Sequence, residues 1–336
     1  MTTVALAGAG AVGARAGRQL VETPGVERVL VIDRDEKRAA TLAQALGARA
    51  EPVRVHPRDE FPPGVDVLAT AVPYEADVEL VRRAIAAGVP SASVGDDDKA
   101  IAGLRAFGDT ARRAGVTVAV GCGLAPGMAC LLAHHAADAL DQVDDVTIAR
   151  SGEAGPSSLA TVRRALRAGP VEIRGGVTRR DRKSGPELVW FPEPVGAREC
   201  RAAPLGGDLL VTHLEGLQSV TTRLDDAPGR RGLARLRHGR RSGGWGAVRV
   251  EVHGTKAGAH EVLVYGVVEQ TAVGAGTVLA LAAVVLGGAA PELARRVSPV
   301  GPGAHGLAAL VEPVPFLAEL VRRGIKAAAF EGVPVA

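Results

Sequence analysis

The chain is 336 residues long, more than one average domain, which points to two domains with sizeable cores. Its net charge of +3 rests on arginine, with only five lysines among forty basic residues, and aromatics are 3% of the chain, so the stacking aromatics that accompany a nucleic-acid-binding basic face are missing. Three scattered cysteines, Cys122, Cys130 and Cys200, exclude a disulfide framework or zinc knuckle and fit a reducing, cytoplasmic setting, with no metal site expected.

The first predicted element is an apolar strand over residues 4–7, with no basic region, apolar segment or cleavage site before it, so no export signal is expected. It runs into Gly8-Ala-Gly10-Ala11-Val12-Gly13, a G-x-G-x-x-G fingerprint. Gly8 permits the strand-to-helix turn, Gly10 lets backbone approach a pyrophosphate, and Gly13 lets the helix sit close to the strand. The helix N-terminus then offers N–H donors and a partial positive charge to phosphates. Twenty residues past Gly13, a second apolar strand over 29–33 ends on Asp33, whose carboxylate accepts from ribose hydroxyls and repels a 2'-phosphate. Together these predict a bound dinucleotide, NAD, with NADP possible because Arg34 either stacks on adenine or binds that phosphate.

Further strands are predicted over 53–55, 65–72, 90–94 and 116–120, alternating with helices over 12–21, 36–46, 75–87 and 99–114. That alternation is the signature of a doubly wound parallel (Rossmann) sheet, in which ligands bind beyond the carboxyl ends of the strands. The loops at that edge are Ala71-Val72-Pro73-Tyr74, then Asp96-Asp97-Asp98, then Gly121-Cys122-Gly123-Leu-Ala-Pro126-Gly127. Small residues in the first let a nicotinamide ribose pass, Tyr74 follows as a substrate contact, and Pro126 opens a helix. Asp97 either orients a substrate ammonium group or caps a helix beside Lys99.

From about residue 143 the pattern becomes β-rich, with strands over 146–150, 171–174, 188–191, 209–213, 247–253 and 261–268 and one early helix over 158–167. This predicts an α+β domain with a mainly antiparallel sheet. Val248, Val250 and Val252 share one strand face and Arg249, Glu251 and His253 the other, so one face packs and the other meets solvent, a cleft or a second subunit. Arg150 closes one strand, and Ser157 and Ser158 open a helix able to receive a substrate carboxylate. His253 has the unperturbed pKa of a proton shuttle, or is plain surface. His134 and His135 lie mid-helix and form no metal motif. The basic run 179–183 reads as a hairpin tip, and the arginine-rich stretch 228–244 as a polar loop or a lid. Residues 271–291 reach membrane-spanning length but consist mainly of alanine and glycine, so they read as a buried helix, not a membrane span, and 315–323 as a further helix.

The Gly8 fingerprint, the Ala71-Val72-Pro73 loop and above all the Gly121–Gly127 turn resemble the saccharopine dehydrogenase-like superfamily, of lysine 6-dehydrogenase or saccharopine reductase type. The resemblance spans about the first 130 residues and continues as a looser pattern. It implies hydride transfer at a carbon bearing nitrogen, with Gly123, Pro126 and Gly127 lining the nicotinamide end and Cys122 close by. It leaves Asp97, Cys122 and His253 as candidate catalytic groups, Cys122 being as readily a small buried apolar residue. The expected organisation is a dinucleotide domain over 1–124, a substrate and dimerisation domain over 125–275, and C-terminal helices over 276–336 that return to the first. A small-molecule substrate and a homodimer are expected. An NAD-using homospermidine-synthase-like transferase and a non-catalytic NAD sensor stay open as alternatives.

Overall fold

The computed structural model describes residues 1–54, 61–96, 98–152, 154–174, 177–180, 185–206, 211, 214, 216–225, 244–294 and 300–330. Its first half alternates β1 (Thr2–Ala7), α1 (Ala11–Glu22), β2 (Val26–Ile32), α2 (Glu36–Leu46), β3 (Ala50–Pro52), β4 (Val67–Thr70), α3 (Tyr74–Ala86), β5 (Ser91–Ser93), α4 (Asp98–Arg105), α5 (Gly108–Ala114) and β6 (Thr117–Val120). These strands form one parallel sheet in the order β3-β2-β1-β4-β5-β6. Helices cover both faces, so β1 and β4 are apolar without alternation, and Val4, Leu6, Val67 and Leu68 are wholly buried. Asp35 starts α2 by accepting from the Lys37 and Arg38 amides.

Two expectations in this half shift. The third strand is Ala50–Pro52 and not 53–55, because Gly47, at φ +86°, closes α2 and takes a hydrogen bond from Ala50, turning the chain early. Val55 lies outside the described residues. The single helix expected over 99–114 is two, broken at Ala106 and Phe107, and the break lays α5 beside a seventh strand, β15 (Gly303–Gly306).

The second sheet is built from β7 (Gln142–Ser151), β8 (Val171–Arg174), β9 (Val177–Arg180), β10 (Glu187–Trp190), β11 (Ala197–Ala202), β12 (Ser219–Asp225), β13 (Trp245–Lys256), β14 (Ala259–Gln270) and β16 (Lys326–Phe330). Its order is β10-β11-β12-β7-β13-β14-β16, with the β8–β9 hairpin held to β12. All neighbours are antiparallel except β12 and β7. Val248, Val250 and Val252 are fully buried, whereas Arg249, Glu251 and His253 remain half-exposed on the opposite face. Arg179 and Arg180 are not a hairpin tip: they lie in β9, where register sets Arg179 opposite Glu172. The strand expected over 209–213 falls mostly, and the basic loop 228–243 wholly, outside the described residues.

Further helices link the sheets. A kinked turn over Leu124–Met128, with Ala125 extended, leads into α6 (Ala129–Ala137), and α7 (Pro156–Ala168) follows β7. The alanine- and glycine-rich helix α8 (Thr271–Leu286) is buried almost throughout and lies along α1. A Cβ on its Gly276 would stand 2.7 to 2.8 Å from Arg15 Cβ, Ala16 N and Val12 O, so small residues are what close approach demands. Among the described residues no helix is long and apolar enough to cross a membrane. After α8 the chain gives β15 to the first sheet, parallel to β6, then α9 (Pro313–Arg322), then β16 to the second. Periodicity reveals α9 but not these two short strands.

Candidate active site

The glycine turn after β1 shows three separate steric demands. At Gly8, φ is +103° and a Cβ would sit 2.4 Å from Ala71 O; at Gly13 a Cβ would sit 1.7 Å from Gly8 O. At Gly10 a Cβ would meet nothing within 4 Å. Gly8 and Gly13 are therefore required by the protein itself, while Gly10 leaves open backbone of the kind a pyrophosphate needs. The first turn of α1 holds no acidic side chain, and no side chain caps the start of this helix, the end that favours an anion. Asp33 is locked beside this turn, Oδ2 accepting from Ala9 N at 2.7 Å and Oδ1 from Asp35 N at 2.9 Å, with lone pairs to spare for ribose hydroxyls. Arg34 is exposed next to it. This cradle fits a dinucleotide.

The next three strand ends lie along the same edge. Ala71 N donates to Ala7 O, carrying Val72 and Pro73 past the glycine turn. Beyond β6, Gly121 adopts φ +75°, Gly123 N donates to Gly121 O at 2.8 Å, and Met128 N donates to Gly123 O at 3.0 Å. The Ala125–Pro126 peptide is cis, and a Cβ on Gly127 would stand 2.5 Å from Gly121 O. The whole turn is buried and tightly wound, with little room for larger residues at Gly127.

Opposite this edge, the last residue but one of β7 is Arg150, whose side chain is 5% exposed. Its Nη1 donates to Asp96 Oδ2 at 2.9 Å and its Nη2 to Ser158 Oγ at 2.8 Å. Asp96 comes from the loop after β5 and Ser158 from the first turn of α7, so one buried cation joins both sheets' loops at the cleft. Arg150 and Ser158 were legible as candidates; Asp96 was visible only as one of three adjacent acids. Ser157 is exposed beside Ser158. Asp97 lies outside the described residues.

One buried group was missed. Asp77, in the first turn of α3, is 2% exposed and accepts from Thr70 Oγ1 at 2.6 Å and Ser93 Oγ at 2.5 Å. Burial pushes its pKa up from the usual 3.8 to about 6 against the opposing pull of these two hydrogen bonds. In sequence it reads as an acid favouring a helix N-terminus, and only the preceding strand's terminal threonine hints at a partner.

Three candidates change. His253 stands at the wrong end and on the wrong face of β13 for this cleft: Val248 pairs with Arg150, whereas His253 pairs with Asp145, five residues on, roughly 17 Å away. Burial, then the neighbouring His260, hold its pKa below the ordinary histidine value. Cys122 is fully buried, its thiol donating to Ala119 O at 3.5 Å, and burial pushes its pKa up to about 12, the opposite of what a proton shuttle near neutral pH needs. Tyr74 faces α4: its hydroxyl would be 2.7 Å from a Cβ on Gly103, and Lys99 Nζ lies 4.6 Å from its ring centre. Among the described residues no group of three or more His, Cys, Asp or Glu is placed to hold a metal ion.

No protein-family model matches the chain. Among solved structures it is similar to apo saccharopine dehydrogenase (L-Glu forming) from Saccharomyces cerevisiae, at 15% identity over 98% of this chain and 100% of that one, with a TM-score of 0.69. It is also similar to the DAP dehydrogenase of C. glutamicum in complex with DAP, at 14% identity over 96% of this chain and 99% of that one, TM-score 0.51. An engineered D-amino acid dehydrogenase bound to NADP+ matches at 14% identity over the same shares, TM-score 0.52. At such identities the likeness is one of fold, and it runs nearly end to end. The chain thus has the saccharopine dehydrogenase-like fold, a Rossmann sheet joined to a second, mixed sheet.

Proposed function

We propose that this protein is an NAD(P)-dependent oxidoreductase that transfers hydride at the C–N centre of an amino acid, a related amine or an imine. The observation that carries this reading is Arg150, a buried guanidinium set between Asp96 and Ser158 at the carboxyl edge of the dinucleotide sheet. In this reading Gly8, Gly10, Ala11, Val12, Gly13 and Asp33 hold the adenosine and pyrophosphate, with Asp33 favouring NAD over NADP. Ala71, Val72, Pro73, Gly123, Pro126 and Gly127 line the nicotinamide end, where the bound dinucleotide supplies the hydride donor or acceptor. Arg150, steadied by Ser158, anchors a substrate carboxylate, and Asp96 beside it takes a substrate ammonium. Three proteins of this fold are named as dehydrogenases, of saccharopine, DAP and D-amino acids, which supports the reaction class.

The test is absorbance at the nicotinamide band with a panel of amines and amino acids, run on the native protein, Asp33→Ala and Arg150→Met. The reading requires turnover with carboxylate-bearing amines that Arg150→Met loses. If NAD binds but no compound changes the signal, the protein is a non-catalytic binder; a balanced reaction without net NADH indicates a transferase.

We further infer a cytoplasmic homodimer. Its three cysteines are free, and the second sheet leaves Arg249, Glu251, His253, Val262 and Val264 half-exposed on one face. That face carries both charge signs, which lets it complement itself across a two-fold axis.

A further inference from the structure

Asp77 has no place in the adenosine cradle and does not touch Arg150, yet it is a carboxylate buried where an apolar residue would cost nothing to desolvate. Each of its oxygens takes one hydroxyl, Thr70 on Oδ1 and Ser93 on Oδ2. Thr70 is the last residue of β4 and Ser93 the last of β5, so the carboxylate staples two adjacent strand ends. Ser93 extends the staple twice: its Oγ accepts from Gly95 N at 3.0 Å, and its carbonyl accepts from Cys122 N at 2.6 Å at the end of β6. The loops that leave these three ends are Ala71-Val72-Pro73, the segment leading to Asp96, and the Gly121–Gly127 turn.

We propose that Asp77 is a positioning residue for the nicotinamide end of the dinucleotide, fixing from below the three loops that surround it. The proposal rests on the dinucleotide reading above and assigns Asp77 no contact with cofactor or substrate. Its role differs from ordinary core support in where the side-chain bonds fall: the adenosine cradle hangs from β1 and β2, β1 meets the staple through main chain where Ala7 pairs with Thr70, and the Asp77 carboxylate takes its two hydroxyls from the ends of β4 and β5. A buried carboxylate bonded to the ends of two adjacent strands, at the sheet edge where α/β proteins bind ligands, is placed for such a role.

The experiment compares binding of NAD with binding of ADP-ribose, which lacks the nicotinamide, by calorimetry on the full chain. Asp77→Asn keeps the shape but puts amide hydrogens against one hydroxyl; Ser93→Ala and Thr70→Val each remove one arm. The expected result is NAD affinity lowered on the order of tenfold in Asp77→Asn, the scale of one buried hydrogen bond to a charged group, with ADP-ribose within about twofold of the native protein. Retained ADP-ribose binding also shows that the variant is folded. Equal loss of both ligands, or no loss of either across all three variants, overturns the proposal. Native protein that binds neither ligand overturns the dinucleotide reading itself, a separate outcome.

Discussion

Arg150 is a charge almost without solvent, and its two partners come from different parts of the chain. Removing it leaves Asp96 facing a gap and strips the cleft of its cation, so Arg150→Met is expected to raise KM for carboxylate substrates by about a hundredfold or more, with a smaller change in kcat. Arg150→Lys restores little of this, because one ammonium on a flexible stem does not span Asp96 and Ser158 as a planar fork does. Steady-state kinetics across the three proteins checks both statements. Asp77 gives a pH prediction. Its folded pKa, about 6, lies above the unfolded value of 3.8, so the stability linked to its proton is fully present below 3.8 and is lost as pH rises through 6. A shift of this size is worth about 3 kcal/mol. The stability of Asp77→Asn relative to the native protein should therefore improve by that order between pH 4 and pH 7.5 in denaturant titrations. A difference independent of pH would show that the Asp77 carboxyl titrates normally.

At the scale of elements, the glycine turn separates folding from binding. Gly13→Ala drives a methyl into Gly8 O and is expected to cost about 3 kcal/mol or more, read as a fall in Tm without ligand. Gly10→Ala meets nothing in the free protein, so Tm should hold while dinucleotide affinity falls by at least about tenfold, since the methyl stands where the pyrophosphate approaches. This turn was legible because each glycine answers a local demand, and Asp33 because it ends an apolar run. Arg150 and Ser158 were legible for the same reason, as ends of elements. Asp96 and Asp77 were not: their roles depend on which strand end lies beside which, and local pattern carries no such pairing. His253 misled by the same token, since its spacing along β13 gives its face but not which end of the strand meets the cleft. The short strands β15 and β16 escape periodicity altogether, being four and five residues long.

Across the whole molecule, the two faces of the second sheet have different work. One face carries Arg150, Val248, Val250 and Val252 and turns toward the dinucleotide sheet, with Tyr265 edge-on to His135 of α6. The other carries Arg249, paired with Glu251, then His253 near His260, with Val262 and Val264 opposite in β14. If a second copy covers this outer face, the groups that bind dinucleotide and carboxylate remain complete within one chain. Dimerisation and binding are then separable. Val264→Glu adds a like charge beside Glu251 at a half-exposed position and should shift sedimentation equilibrium from dimer to monomer with the circular dichroism spectrum unchanged. The same variant should bind NAD within about twofold of the native protein, because Asp33, Gly10 and the Gly121–Gly127 turn follow strands of the other sheet. Loss of NAD binding in a monomer that keeps its fold would mean that the partner subunit shapes the cleft, and would move the site's boundary from one chain to two.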